Sequence, residues 1–506
     1  MTRNVIDYLN RIVNICPDKT AFSDGEVSLT FREVYDQSRA FASYLHESGI
    51  YKKPVVIYMQ KSPAEVAAFF GTITAGNYYV PVDDTMPSEK IHMILDNVKS
   101  PLILCDEKTL EDAGKLETGG ARVVLWKDLL DTPVQDAALK EIRGKALDTD
   151  PIYIVFTSGS TGTPKGVCAC HRSVIDYMEQ LTRILGVSEN TVFGSQTPLF
   201  VDACLKEVYS TLMFGATTYL IPKYLFAAPV PLVEYMNRYK INTVCWVVTA
   251  LKMISSLGAF EEITPQYLHT IAFGSEVFPL REFRKWRKAC PDAEFINLYG
   301  PTEATGMCCY YRVDRDFEDG EPIPIGRPFP NREILLFRED MTPAAPGEEG
   351  EICVRGNCLT LGYYNDPVKT KEAFVQNPLN PFYPELIYKT GDIGRMNERG
   401  ELVFVSRKDY QIKRNGYRIE LGEVEANVEK LPEISSAVCI WDNDKNRLVL
   451  YYVGNVEERP LKKLLTEKLS DYMIPNRIVR LDKIPQTANG KIDRAGLKKL
   501  YLSKRK

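Results

Sequence analysis

The stretch "TSGSTGTPKG", residues 157 to 166, packs hydroxyls, glycines and one lysine into ten positions. Ser158, Gly159, Ser160, Thr161, Gly162 and Thr163 can wrap backbone N–H groups and hydroxyls around an anion, because glycine permits unusual φ and close approach. Lys165 adds a cation. The pattern is not the G-x-x-x-x-G-K-[ST] phosphate loop: Pro164 stands five residues after Gly159, and Gly166 follows Lys165. A flexible Ser/Gly turn without a ligand accounts for the composition equally well. The preceding apolar run "PIYIVF" favours a ligand loop, since open α/β proteins bind ligands at the carboxyl ends of their strands.

Such a loop needs a sheet behind it. "KPVVIYM" precedes "PAEVAAFFGTITAG", "PLILC" precedes a charged segment, and "TVCWVV" precedes "ALKMISSL". Short β-rich runs alternating with helical patterns predict an α/β class with parallel sheets covered by helices. Beyond about residue 330, "REILLF", "GEICVRG" and "GELVFVSR" predict short antiparallel strands, a small barrel-like segment. "ELGEVEANVEKLPEI", "SSAVCIW", "RLVLYYVG" and "PLKKLLTEKLS" then predict a small α+β unit. The charged stretch "VSRKDYQIKRNG" is the expected boundary, as a hinge or a plain surface turn, giving domains at 1–408 and 409–506.

With 506 residues the chain holds more than one domain, and a net charge of -4 provides no basic field for nucleic acid. No apolar run approaches the roughly 20 residues of a membrane span, so no membrane insertion is expected. The N-terminus lacks a signal-peptide pattern, and a cytoplasmic protein is expected. The twelve cysteines form no repeated CxxC pair and the four histidines have no metal-ligand spacing, so buried reduced thiols are expected.

The loop is one of a series of motifs in fixed order. "LTFREV", "TAGNYYVPVD", "TSGSTGTPKG", "NLYGPTEAT", "GEICVRG", "YKTGD", "RKDYQIKRNGYRIELGEVE" and "PQTANGKIDR" span nearly the whole chain. In these the chain resembles the adenylate-forming superfamily of acyl-CoA synthetases, luciferases and nonribosomal peptide synthetase adenylation domains, which implies the ANL fold with a small mobile C-terminal domain. The resemblance also implies a two-step reaction: a carboxylate attacks the α-phosphorus of ATP to give an acyl-AMP and pyrophosphate, and a thiol then takes the acyl group. Charge accumulating at the α-phosphate calls for fixed cations and donors there.

The resemblance assigns roles residue by residue. Lys491 in "NGKIDR" matches the catalytic lysine that bridges substrate carboxylate and α-phosphate. Glu303 in "YGPTE" matches the Mg²⁺ ligand, as suits an ion that keeps one or two protein carboxylates, and Thr302 matches a donor to the α-phosphate. Tyr299 resembles the aromatic on adenine, with Asn297 near its amino group. Asp392 in "YKTGD" matches the acceptor of both ribose hydroxyls, and Arg407 is expected to support the same ribose or the phosphate. Thr157, Gly274, Ser275, Glu276 and Gly300 complete the ATP-binding set. Asp409 falls on the family hinge, about which the small domain is expected to rotate after adenylation; Ser406 stands where the family commonly has glycine.

Asp202 in "LFVDACLKEVYSTLMFGAT" matches the aspartate with which amino-acid-activating members hold the α-ammonium. A surface pair with Lys206, four residues on, is the competing reading. By position the pocket is lined by Asp202, Ala203, Lys206, Trp246, Ile271, Phe273, Leu298, Gly306 and Met307. The bulk of Trp246 and Phe273 implies a small substrate, whereas Lys206 suits a side-chain carboxylate. Val201 replaces the family's aromatic before the aspartate. The layout also resembles D-alanine-carrier-protein ligases. The expectation is therefore activation of D-alanine or another small amino acid, with aspartate or glutamate second, and transfer to the phosphopantetheine thiol of a separate carrier protein. Asp202 disfavours an acyl-CoA synthetase, and the presence of Lys165, Glu303, Asp392 and Lys491 disfavours a catalytically dead scaffold.

Overall fold

A computed structural model describes residues 2–158, 163–408, 410–443, 445–486 and 492–503. The chain divides into two compact units, one of Met1–Asp84, Leu95–Phe156 and Gly166–Lys408, the other of Thr85–Ile94, Thr157–Lys165 and Asp409–Lys506.

Two large sheets organise the first unit. One has nine strands in the order Arg327–Pro328, Cys309–Arg312, Glu294–Tyr299, Thr270–Gly274, Thr243–Val247, Val192–Ser195, Thr217–Leu220, Thr20–Ser23 and Ser28–Thr30. Its central strands are parallel and its outer ones antiparallel. A six-stranded sheet runs Arg122–Leu125, Leu102–Cys105, Pro54–Tyr58, Tyr78–Pro81, Pro151–Thr157 and Lys165–Cys170. The apolar runs read from the sequence are these strands, and Pro54–Tyr58, Tyr78–Pro81 and Leu102–Cys105 are buried at every position, as parallel strands covered on both faces must be.

Helices start where side chains satisfy the orphan N–H groups of a first turn. Thr30 and Glu33 form a reciprocal capping box on Phe31–Glu47, and Ser62 caps Pro63–Thr74 with proline in its first turn. The segment beyond residue 330 is an antiparallel five-stranded sheet of Arg332–Phe337, Gly350–Gly356, Leu386–Met396 and Phe374–Gln376, with Leu402–Arg407 also paired to Leu386–Met396.

In the second unit, Ile434–Asp442, Arg447–Gly454 and Arg477–Arg480 form a three-stranded sheet, accompanied by helices Leu421–Glu429, Glu458–Lys468 and Arg494–Ser503. The stretch read as a charged connector contains a hairpin, Gln411–Arg414 with Tyr417–Glu420. Asn415 and Gly416 turn it with φ of 54° and 84°, the left-handed pair a two-residue hairpin requires. The Asn-Gly dipeptide was the signal for it. No helix among the described residues is long and apolar enough to cross a membrane.

Candidate functional site

The site in the first unit is built at strand ends. Register places Asp392 on Leu386–Met396 directly opposite Arg407 on Leu402–Arg407. Arg407 Nη1 donates to Asp392 Oδ1 at 2.6 Å and Nη2 to the Thr390 carbonyl at 3.2 Å. The Tyr299 hydroxyl donates to Asp392 Oδ2 at 2.5 Å. Burial, and then the charge of Asp392, push the Tyr299 hydroxyl well above its usual range, so it stays a protonated donor. Asp392 is 3% exposed. Each carboxylate oxygen keeps a lone pair beyond these bonds, which suits it to a pair of neighbouring hydroxyls. The amide nitrogen of Asn297, on the same strand as Tyr299, donates to the Pro324 carbonyl at 2.8 Å.

Gly274 and Ser275 lie at the end of strand Thr270–Gly274. Glu276 has a structural task unforeseen from sequence: its Oε2 accepts from the backbone N–H and hydroxyl of Thr249, both at 2.7 Å, at the start of helix Val248–Ser256.

Gly300 begins a tight return of the chain, for a β-carbon there would lie 2.2 Å from the Gly306 carbonyl oxygen. Within that return Thr302 and Glu303 occupy a single 3-10 turn, Thr302–Ala304. Glu303 is fully buried; its Oε1 accepts from the Tyr363 hydroxyl at 2.8 Å, and its carbonyl accepts from the Thr360 N–H at 3.0 Å. Tyr363 was not singled out from sequence. Among the described residues no group of three or more His, Cys, Asp or Glu is placed to hold a metal. One oriented carboxylate does fit Mg²⁺ arriving on phosphates, which takes few protein ligands.

The Thr302 hydroxyl donates to Asp202 Oδ1 at 3.2 Å, joining Asp202 to the turn that carries Glu303. Asp202 and Ala203 lie in the turn Asp202–Cys204, which leads into helix Leu205–Phe214. Lys206 is 4% exposed, and among the described residues no ion pair joins it to Asp202, so it is not half of a surface pair. Leu298 and Met307 belong to the same core as Cys204, Leu205, Cys245 and Ala272.

Trp246, Ile271 and Phe273 depart from the expected lining. They belong to a second core on the other face of the nine-stranded sheet, where the Trp246 indole donates to the Gly194 carbonyl at 2.6 Å and Phe273 packs edge-on to Phe278. The cause is strand periodicity: Trp246 pairs with Phe273 while Cys245 pairs with Ala272, so each pair points to the opposite face from its neighbour. The side chains turned toward the core that holds Leu298 and Met307 are the small Cys245 and Ala272, and the bulk that implied a small substrate is elsewhere.

Thr157, Ser158 and Lys165 fall in the second unit. There the Ser158 hydroxyl donates to the Arg418 carbonyl at 2.7 Å, and Lys165 is half-buried at the start of Lys165–Cys170. Gly159, Ser160, Thr161, Gly162, Asp409 and Lys491 lie outside the described residues.

Residues 9–364 match the family described as AMP-binding enzyme, and residues 423–491 match the AMP-binding enzyme C-terminal domain. The chain belongs to the AMP-binding enzyme family. Within it, the chain is 30% identical to the D-alanine–D-alanyl carrier protein ligase of Bacillus licheniformis, covering 98% of this chain and 99% of that protein. It is 33% identical to bacitracin synthase 1 of Bacillus licheniformis over 95% of its own length, but spans only 9% of that synthase, and it spans 43% of tyrocidine synthase 1 of Brevibacillus parabrevis. The fold is that of the Vibrio cholerae adenylation domain AlmE, solved in complex with glycyl-adenosine-5'-phosphate, with a TM-score of 0.84, 21% identity, and 99% of this chain and 98% of that chain covered.

Proposed function

We propose that this family member activates an amino acid as its aminoacyl-AMP and passes the acyl group to the phosphopantetheine thiol of a carrier protein. The observation that carries the reading is the Thr302–Asp202 hydrogen bond, which sets a carboxylate suited to an ammonium beside the residues suited to a nucleotide. In the first step a substrate carboxylate oxygen bonds to the α-phosphorus of ATP, and the bond from that phosphorus to the bridging oxygen breaks to release pyrophosphate. In the second, the carrier thiol loses its proton and attacks the acyl carbon, and AMP departs.

Asp392 accepts both ribose hydroxyls while Tyr299 and Arg407 hold it oriented. Asp202 holds the α-ammonium. An arriving ammonium is a stronger donor to Asp202 than a hydroxyl, so it frees Thr302 to turn to the α-phosphate. Lys165 is assigned to the β- and γ-phosphates and Lys491 to the developing charge at the α-phosphate. Glu303, steadied by Tyr363, holds Mg²⁺, which when bound neutralises phosphate charge. Asp409 is assigned as the pivot of the 409–506 domain.

Two substrate readings compete. The name of the length-matched relatives favours D-alanine or another small amino acid. The polar groups around Asp202 favour an acidic one, as argued below. ATP–pyrophosphate exchange across L- and D-amino acids, with acetate and benzoate as controls, tests the reaction itself. An amino acid is expected to stimulate exchange, and Asp202→Ala to lower its kcat/KM by about 100-fold, the loss of a half-buried charge partner, with AMP binding retained. Stimulation by acetate or benzoate alone refutes it.

A further inference from the structure

Among the described residues, three buried hydrogen-bond donors of the core next to Asp202 have no acceptor. Tyr153 and Tyr177 are 0% exposed, and among the described residues neither hydroxyl has an acceptor for its proton, although the Tyr177 oxygen is within the influence of the Met307 N–H. Both rings belong to the buried core that also holds Cys204, Leu205, Leu298 and Met307, and Cys204 ends the turn that begins at Asp202. Burial pushes both well above the usual tyrosine range, which keeps them donors. Tyr177 comes from helix His171–Leu185, and its ring lies against Gly306: a β-carbon there would meet the ring at 2.7 Å and the hydroxyl at 3.0 Å.

The third donor is Lys206, one helical turn beyond Asp202. It is buried and forms no ion pair among the described residues. Cys204 and Cys245 sense its charge. Glu207 senses it too, but among the described residues both Glu207 oxygens lack a hydrogen-bond partner, so they do not take the Lys206 protons.

Buried donors without acceptors are rare in folded proteins, and a set of them close to one substrate-binding candidate points to a ligand that completes it. We infer that the amino acid taken here carries a side-chain carboxylate, received by Lys206, Tyr177 and Tyr153 while Asp202 holds its α-ammonium. The inference rests on the proposed aminoacyl-adenylate chemistry. An ionised carboxylate accepts only, with room for several donors, whereas an amide would turn its own N–H groups on these donors. An alanine side chain would leave all three unpaired.

The test is pyrophosphate exchange by the full chain with L-aspartate, L-glutamate, L-asparagine, L-glutamine, glycine and both alanines. An acidic amino acid is expected to exceed its amide and alanine in kcat/KM by at least about tenfold. Lys206→Met should lower acidic kcat/KM by roughly 10- to 100-fold and erase the preference over the amide, and the isosteric Tyr177→Phe should raise KM for the acid about tenfold. Glycine or alanine as best substrate overturns the inference, since water then fills the donor cluster, yet leaves aminoacyl-adenylate chemistry intact. So does a variant Lys206→Met with an unchanged acid-to-amide ratio. Exchange with no amino acid overturns the proposed function together with the inference. If Lys206→Met fails to fold, the wild-type panel and Tyr177→Phe decide.

Discussion

Replacing Gly300 by alanine probes how rigidly the return between strand Glu294–Tyr299 and Cys309 positions the site. The new β-carbon would lie 2.2 Å from the Gly306 carbonyl oxygen, 2.6 Å from Met307 Cα and 2.8 Å from Cys308 N, all backbone atoms that cannot swing aside. Ordinary contact begins at 3.4 Å, so the limbs must part by about 1 Å. The Cys308 N–H donation to the Tyr299 carbonyl, 2.7 Å long, ties these limbs together and is strained by the same movement. Tyr299, Thr302 and Glu303 ride on the displaced chain. A misplacement of that size costs about 100-fold in rate, while overpacking of this kind costs about 1–3 kcal/mol of stability. Exchange should therefore fall by about 100-fold in a protein that still melts cooperatively. Gly144→Ala is the control: among the described residues nothing lies within 4 Å of its β-carbon, within helix Asp136–Lys145. It should keep full exchange and melt at the same temperature or higher. Exchange by Gly300→Ala within twofold of wild type would refute the rigid return, because the limbs would then have parted without moving the reacting groups.

Tyr363→Phe removes the hydroxyl that orients Glu303 and should raise the Mg²⁺ concentration for half-maximal exchange by about tenfold, with KM for the amino acid unchanged; an unaltered Mg²⁺ titration contradicts the positioning role. His171 is buried, with its Nδ1 accepting from the Val5 N–H, and burial lowers it from 6.5 to about 4, against the opposing charge of Asp150. The unfolded chain thus takes up the proton first, so the contribution is whole above pH 6.5 and is lost as pH falls to about 4, a decline of about 3 kcal/mol. His171→Asn, which keeps an acceptor for Val5, should flatten that part of the stability curve measured in urea. A slope equal to that of wild type would assign the decline to other groups.

The grouping of Tyr299, Thr302 and Glu303, and of Asp392 with Arg407, was legible because these residues cluster along the chain: the first three occupy one short stretch, and the last two belong to adjacent strands. Turn chemistry, capping residues and apolar runs likewise announced the α/β sheets, and the Asn-Gly turn of the missed hairpin was written in plain view. Local sequence fixes such features because a strand, a cap or a turn is decided by a few neighbouring residues. The amino-acid pocket was different. Alternation along a strand tells that Cys245 and Trp246 face opposite ways, but which face is the pocket depends on how the sheet packs against helix Leu205–Phe214 and Met307. Tyr177 on its own helix, and Tyr363, 60 residues from Glu303, reach the site only through the tertiary fold. The sequence by itself determined the ordered motifs that mark this chain as a member of the AMP-binding enzyme family. Only the tertiary structure decided which side chains surround that aspartate, because burial and the loss of partners are properties of packed faces and not of spacing.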